Sequence, residues 1–165
     1  MSQGTAVAVG KPVNVARFEE YLDRATNEVF STMMGVGCAP APGEPAMGGE
    51  SISAVIGLAG ALSGSLVLYT SSEAAMRMAE KMTGIAPEEV DEMVRDAIGE
   101  VCNMVAGAWK GFDPSLASGC LLSTPTVVAG TSYELFSQKA PIRILRRYLF
   151  ETLTFTVTIT CEPQG

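Results

Sequence analysis

Two carboxylates, a carboxamide and a glycine recur at helical spacing near the middle of the chain, and these residue types could act together on one bound object. Asp96, Glu100, Asn103 and Gly107 form the pattern D-x-x-x-E-x-x-N-x-x-x-G. Because an α-helix turns about 100° per residue, the four positions fall within a sector of roughly 60°. One helix face would therefore present a carboxylate and a carboxamide, one turn apart, to the same partner.

The opposite side of this helix is apolar and bears Val94, Ile98, Val101 and Val105. Such a stripe predicts that the helix packs its back on a core. The simpler interpretation of the front is an ordinary solvated face. Asparagine and glycine argue against it, because glycine costs up to about 1 kcal/mol relative to alanine in a helix interior. The presence of glycine at positions 99 and 107 therefore needs an explanation, and the close approach of another group to the helix is one.

Composition excludes several kinds of catalytic site. The chain has no histidine, which rules out Ser-His-Asp and Cys-His catalysis and every histidine-ligated metal site. Its cysteines are scattered without a C-x-x-C pair, which argues against zinc binding and thioredoxin-like redox chemistry. We interpret them as small core residues. They are Cys38, Cys102, Cys120 and Cys161.

Charge and hydropathy restrict the partners and the location. The formal net charge is −7, which argues against a nucleic-acid partner. The only basic group is interpreted as solvated positions on one strand, and it consists of Arg143, Arg146 and Arg147. No apolar stretch approaches the roughly 20 residues that span a bilayer, and the N-terminus lacks the features of a signal peptide. We expect a cytoplasmic protein without a membrane partner.

Three helices are predicted from capping residues and from apolar spacing. Residues 1–12 are small and featureless and are predicted to be flexible, whereas residues 13–162 are predicted to form a single domain. The predicted helix ends follow the preferences of N-caps, first-turn prolines and C-terminal glycines. The helices run from Asn14 to Gly35, from Ser71 or Ser72 to Gly84, and from Pro87 to about Lys110.

The remaining apolar segments predict strands. Residues 51–70 are predicted to form a β-hairpin with its turn near Leu62-Ser63-Gly64, and residues 38–49 a surface loop or an extended lead-in. Later strands are expected at 120–122, 126–128, 142–150 and 153–161, with a break near Glu151-Thr152 between the last two. This order predicts an α+β fold, in which long helices pack on one face of an antiparallel-rich sheet.

Three segments, in this order along the chain, carry a family resemblance. The first is residues 56–68 with the helix that follows, and the second is the helix face from Asp96 to Gly107. The third is the segment 123–130, S-T-P-T-V-V-A-G. The chain resembles the CheC–CheX–FliY phosphatases of bacterial chemotaxis, and most closely the single-site CheX type, whose P-T-V-V-x-G strand is similar to the third segment. The resemblance covers roughly residues 14–161.

The resemblance implies an enzyme that hydrolyses the aspartyl phosphate of a CheY-type response regulator. It assigns Glu100 and Asn103 as the catalytic residues, with Asn103 orienting the attacking water and Glu100 contacting the regulator's lysine. Asp96 and Gly107 are carried over as partner-binding positions. No cofactor is expected in this chain, because the Mg²⁺ would belong to the regulator's site. A carboxamide suits this role, since it donates and accepts hydrogen bonds without taking a proton at neutral pH.

The resemblance also bears on the number of sites and on assembly. Two-site relatives carry a second E-x-x-N on the first helix, where this chain has Glu20-x-x-Asp23. The carboxamide is missing there, so one site per chain is predicted. A homodimer formed through the sheets is implied.

Two alternatives stay open. One is a non-catalytic module that binds a response regulator, which the intact Glu100 and Asn103 argue against. The other is a flagellar-switch-associated part, which the lack of a second domain argues against.

Overall fold

The computed structural model of the protein describes residues 13–44, 49–135 and 139–164. Residues 1–12, predicted from the sequence to be flexible, lie outside these ranges. The elements in chain order are α1 Val15–Met34, β1 Ala39–Pro40, β2 Ser51–Gly60, β3 Leu62–Ser71, α2 Ser72–Thr83, α3 Glu92–Gly111, α4 Pro114–Gly119, β4 Cys120–Leu122, β5 Thr126–Gly130, β6 Ile142–Phe150 and β7 Leu153–Pro163.

Within the described ranges the strands form one seven-stranded sheet in the order β1-β6-β7-β3-β2-β4, and β5 also pairs with β2. Each of these pairings is antiparallel. Both predicted hairpins, β2–β3 and β6–β7, are present. Together with the helices this confirms the predicted α+β fold. The core lies between the sheet and α1, α2 and α3.

Capping residues set the ends of α1 and α2 where the sequence predicts them. The Asn14 side chain accepts a hydrogen bond from the Arg17 N–H, and Gly35 ends α1 with a φ of 70°. Ser71 caps α2 in the same way through the Ala74 N–H, and Gly84 ends it at a φ of 76°. Side-chain caps and left-handed glycines satisfy backbone groups that a helix leaves free.

Helix α3 begins later than predicted. Pro87 lies in the loop before it, and the N-cap is Asp91, whose carboxylate accepts a hydrogen bond from the Val94 N–H at 3.0 Å. The prediction of a start at Pro87 is therefore wrong. A proline followed by acidic residues is typical of a first helical turn, but here the capping carboxylate of Asp91 decides the boundary.

The turn of the first hairpin also differs from the prediction. It lies at Gly60-Ala61, and the predicted turn residues 62–64 already belong to β3. Gly60 has a φ of 93°, a conformation that glycine adopts without a steric penalty. The sequence patterns did not predict α4, a single short helix, or β1, which pairs with β6.

The core includes stacked aromatic rings and buried thiols beside its aliphatic residues. Phe30 stacks on Phe155 with ring centroids 4.7 Å apart. All four cysteines are buried and free, which confirms their interpretation as core residues. Burial raises the pKa of the Cys102 thiol to about 12. No helix within the described ranges is both long and apolar enough to cross a membrane.

Candidate active site

Helix α3 exposes the predicted functional residues to solvent. Asp96, Glu100 and Asn103 are all exposed, while the four apolar residues predicted for the opposite side are fully buried. The structure therefore brings the three polar side chains together on one surface, as the spacing predicts. We call the surface formed by Asp96, Glu100, Asn103 and Gly107 the α3 front.

Hydrogen bonds from α3 to other elements hold this helix in place. The Trp109 Nε1–H donates to the Phe18 carbonyl of α1 at 3.2 Å. The Cys102 thiol donates to the Ala54 carbonyl of β2 at 3.5 Å, and Lys110 Nζ donates to the Cys120 carbonyl at 2.7 Å. A rigid, well-packed element fixes the geometry of the side chains it carries. The α3 front is therefore a preorganised surface.

The two glycines of interest in α3 have different surroundings. A Cβ at Gly99 would contact the chain itself, 3.4 Å from the Val127 Cγ2 and 3.6 Å from the Pro125 Cγ. A Cβ at Gly107 would meet no described atom within 4 Å. The described residues thus give no internal steric reason for glycine at 107, which borders open space beside Asn103.

A short linker between β4 and β5 lies next to this helix. β2 pairs with β4 through residues 58–60 and with β5 through residues 51–55, and the linker Ser123–Pro125 spans the gap. The Ser123 N–H donates to the Gly57 carbonyl at 2.9 Å, and the Gly57 N–H donates to Ser123 Oγ at 2.8 Å. Ser123 Oγ also donates to the Thr124 carbonyl at 3.0 Å. These bonds fix the linker beside α3.

The contact between Pro125 and Gly99 could not be read from the sequence. Pro125 immediately precedes β5. Its ring nevertheless packs against α3 at Gly99. Periodicity reports neighbours within one element, and no local pattern reports a contact between residues this far apart in the chain.

On helix α1, Asp23 stands where the E-x-x-N spacing would place the asparagine, and its carboxylate is bound within the protein. Arg146 donates from Nε to Asp23 Oδ1 at 3.0 Å and from Nη2 to Asp23 Oδ2 at 2.6 Å. The Tyr148 hydroxyl donates to Asp23 Oδ1 at 2.8 Å. Burial, followed by these interactions with Asp23, raises the pKa of Tyr148. Asp23 is thus tied into the α1–β6 interface, which supports the prediction of one site per chain.

The arginines of β6 are not all solvated, so that prediction needs correction. Arg143 is exposed, but Arg146 is half-buried against Asp23, and Arg147 is half-buried and donates to the Pro42 carbonyl. Strand alternation explains the burial of Arg146, because successive residues point to opposite faces of a sheet. Arg146 consequently shares the helix-covered face with Tyr148.

The α3 front offers oxygen acceptors and amide donors. Carboxylates can contact a cation, and a carboxamide can both donate to and accept from a water molecule. Across the described ranges, no cluster of three or more His, Cys, Asp or Glu residues is arranged to hold a metal ion. The chemistry that this surface suits is therefore the positioning of a partner and of a water molecule.

Comparisons with known proteins agree with the sequence resemblance. A family model described as "Chemotaxis phosphatase CheX" matches residues 52–145. The chain is 31% identical over 134 residues to the CheY-P phosphatase CheX of Thermotoga maritima, covering 74% of this chain and 86% of that protein.

Solved structures share the fold. The chemotaxis protein CheX of Vibrio vulnificus has a TM-score of 0.78 at 24% identity, covering 91% of this chain and 99% of that one. A CheX from Borrelia burgdorferi, crystallised with CheY, BeF₃ and Mg²⁺, has a TM-score of 0.71 at 20% identity, covering 88% and 97%. The family match, the relative from Thermotoga maritima and the shared fold together establish that this chain belongs to the CheX family of chemotaxis phosphatases.

Proposed function

We propose that this phosphatase hydrolyses the aspartyl phosphate of a CheY-type response regulator, with Asn103 orienting the attacking water and Glu100 contacting the regulator. The observation that carries the proposal is the exposed pair Glu100 and Asn103, one turn apart on the rigid helix α3. The relative from Thermotoga maritima is a CheY-P phosphatase, and the CheX from Borrelia burgdorferi forms a complex with CheY. A cytoplasmic location follows from such a partner.

The proposed reaction needs positioning more than it needs a strong base. A water oxygen attacks phosphorus, the bond from phosphorus to the aspartyl oxygen breaks, and the products are a free carboxylate and inorganic phosphate. The Asn103 amide would hold the water in line with that bond by donating and accepting hydrogen bonds. The proton that the water loses goes to phosphate or to solvent. Charge on the phosphoryl group is stabilised on the regulator's side, by its lysine and its Mg²⁺.

Glu100 and Asp96 would contact the partner rather than the reacting atoms. The Glu100 carboxylate suits an ion pair with a lysine, which would fix the depth at which α3 enters the regulator's site. Asp96 lies one turn before it on the same exposed surface. Both carboxylates repel a phosphoryl group, but a lysine and a metal ion on the partner offset that repulsion. Gly107 would let the partner's backbone approach closely.

The sheet face opposite the described helices is the proposed surface for a homodimer. Leu145 and Leu149 lie on the face opposite the helices and remain 38% and 42% exposed. Exposed apolar groups on a sheet face are typical of interaction surfaces. Light scattering should report a dimer that becomes a monomer when both leucines are replaced by lysine. Ile85→Lys is the control, because Ile85 is 62% exposed in the α2–α3 loop. It should leave the dimer intact.

Phosphate release from the response regulators of the same genome tests the proposed activity. Each regulator is phosphorylated with acetyl phosphate and mixed with wild type, with Asn103→Ala and with Asn103→Asp. Wild type should accelerate phosphate release from one regulator. Asn103→Ala should reduce that acceleration about 100-fold or more, because it removes a positioning group. Wild type that binds a beryllofluoride-loaded regulator without accelerating release would instead indicate a non-catalytic binding module.

A further inference from the structure

The β4–β5 linker borders the α3 front but has no part in the reaction proposed above. The Pro125 ring packs at Gly99. Gly99 directly precedes Glu100, and it stands one turn before Asn103 on the same flank, where residues four apart are neighbours. The linker therefore lies beside the flank of α3 that carries Asn103.

The linker is also fixed before any partner arrives. Ser123 exchanges two hydrogen bonds with the backbone of Gly57, and a third joins its hydroxyl to the Thr124 carbonyl. A segment that is ordered in the free protein loses little conformational entropy when it becomes part of an interface. Thr124 is exposed, and no hydrogen bond of the described structure uses its hydroxyl.

The size of a stable complex requires surface beyond the α3 front. A specific protein–protein interface buries roughly 800 Å² on each partner, which a strip of three side chains and a glycine cannot supply. The start of α3 and the loop before it are acidic and would repel a phosphorylated partner. Their carboxylates are Glu88, Glu89 and Asp91 of the loop and Glu92 of the helix, whereas Ser123, Thr124 and Pro125 of the linker carry no charge.

Resting on the proposed function, we propose that the β4–β5 linker is the second wall of the docking surface and that Thr124 is a specificity-determining contact for the phosphorylated regulator. The neutral wall lets a phosphoryl dianion approach Asn103 without like-charge repulsion. The Thr124 hydroxyl donates a hydrogen bond to an acceptor on the regulator. Because Thr124 contacts the regulator and not the reacting atoms, this hydrogen bond affects docking and leaves the chemical step unchanged.

A matched pair of charge substitutions tests the assignment. Thr124→Glu and Thr152→Glu each add one negative charge at an exposed threonine, but Thr152 lies in the β6–β7 turn, separated from β5 by β7, β3 and β2. Phosphate release is measured over a range of concentrations of each acetyl-phosphate-treated regulator. Thr124→Glu should raise the half-saturating concentration about tenfold at an unchanged kcat, and Thr152→Glu should change neither. Thr124→Val should raise it about threefold through the lost hydrogen bond.

Binding to a beryllofluoride-loaded regulator separates failure of this inference from failure of the proposed function. If Asn103→Ala abolishes turnover but Thr124→Glu leaves half-saturation and binding unchanged, the linker has no docking role, and the proposed activity stands. If wild type turns over no regulator, weaker binding of Thr124→Glu still supports the linker as a contact, and equal binding overturns it. Absence of binding by wild type overturns both proposals. Thr124→Val decides the question if Thr124→Glu unfolds.

Discussion

Arg146 and Asp23 form a bidentate, half-buried ion pair that joins β6 to α1. Both Asp23 oxygens accept from the guanidinium, at 3.0 and 2.6 Å, and Tyr148 adds a third hydrogen bond. The side chains of the pair are 31% and 27% exposed. Loss of the carboxylate would leave a half-buried guanidinium and a buried hydroxyl without their shared acceptor.

Asp23→Ala should therefore lower the free energy of unfolding by about 2 kcal/mol, without changing kcat for phosphate release. Denaturant unfolding measures the first quantity. Glu20→Ala is the matched control, since Glu20 is an exposed carboxylate one turn earlier on α1, and it should change stability by less than about 0.5 kcal/mol. An Asp23→Ala protein of wild-type stability that has lost turnover would instead place Asp23 in a functional site.

Gly107→Ala should change stability and function in opposite directions. A Cβ at 107 meets nothing within 4 Å, so alanine should stabilise the helix by up to about 1 kcal/mol. The same methyl group would obstruct a regulator docked on the α3 front, and the half-saturating concentration should rise about tenfold. Thermal unfolding and phosphate-release assays measure the two effects.

Gly111→Ala is the control for this prediction, because its Cβ would also meet nothing within 4 Å, and it lies one turn farther along at the end of α3. It should leave half-saturation unchanged. Equal kinetic effects at the two glycines would mean that Gly107 has no special place in docking.

The pH dependence of stability should reveal the ion pair between Arg77 and Glu151. Two hydrogen bonds from Arg77, at 2.9 and 3.0 Å, join α2 to the β6–β7 turn. Hydrogen bonds from the Arg77 guanidinium hold the pKa of Glu151 below its ordinary value of 4.5. A depressed carboxylate pKa contributes stability above the unfolded-state value, and this contribution is lost as the pH falls through the folded-state value.

Glu151→Gln should accordingly be less stable than wild type at pH 7, and the difference should shrink once the pH falls below about 4.5. Urea unfolding at several pH values measures this difference. A constant difference down to pH 3 would show that the charge of Glu151 contributes nothing. Glu134→Gln, which removes an exposed carboxylate elsewhere, should change stability little at any of these pH values.

The buried thiols should resist modification in the native state. Burial raises the pKa of Cys38 and Cys102 to about 12 and that of Cys161 to about 11. The thiolate is the reactive form, so a disulfide reagent should react slowly from pH 7 to pH 9 and label all four cysteines only after denaturation. Rapid labelling of one native cysteine would show that its part of the core opens readily. Mass spectrometry of the labelled peptides identifies which thiol reacted.

Much of the fold and of the candidate site followed from local patterns. The helical spacing of Asp96, Glu100 and Asn103 against an apolar back predicted a single exposed face, and α3 presents that face. Capping by Asn14 and alternation in β6 and β7 are equally local, because each depends on residues within a turn or a strand. For these features, the amino-acid sequence by itself determined the structure.

Tertiary structure decided which side chains remain available to a partner. The sequence alone presents Asp23 and Glu100 alike, as carboxylates on polar helix faces. Only the fold places Arg146 and Tyr148 across from Asp23. The contact of Pro125 with Gly99 likewise depends on how β5 pairs with β2. Such contacts join residues that are distant in the chain, so they exist only once the sheet and helices have packed together.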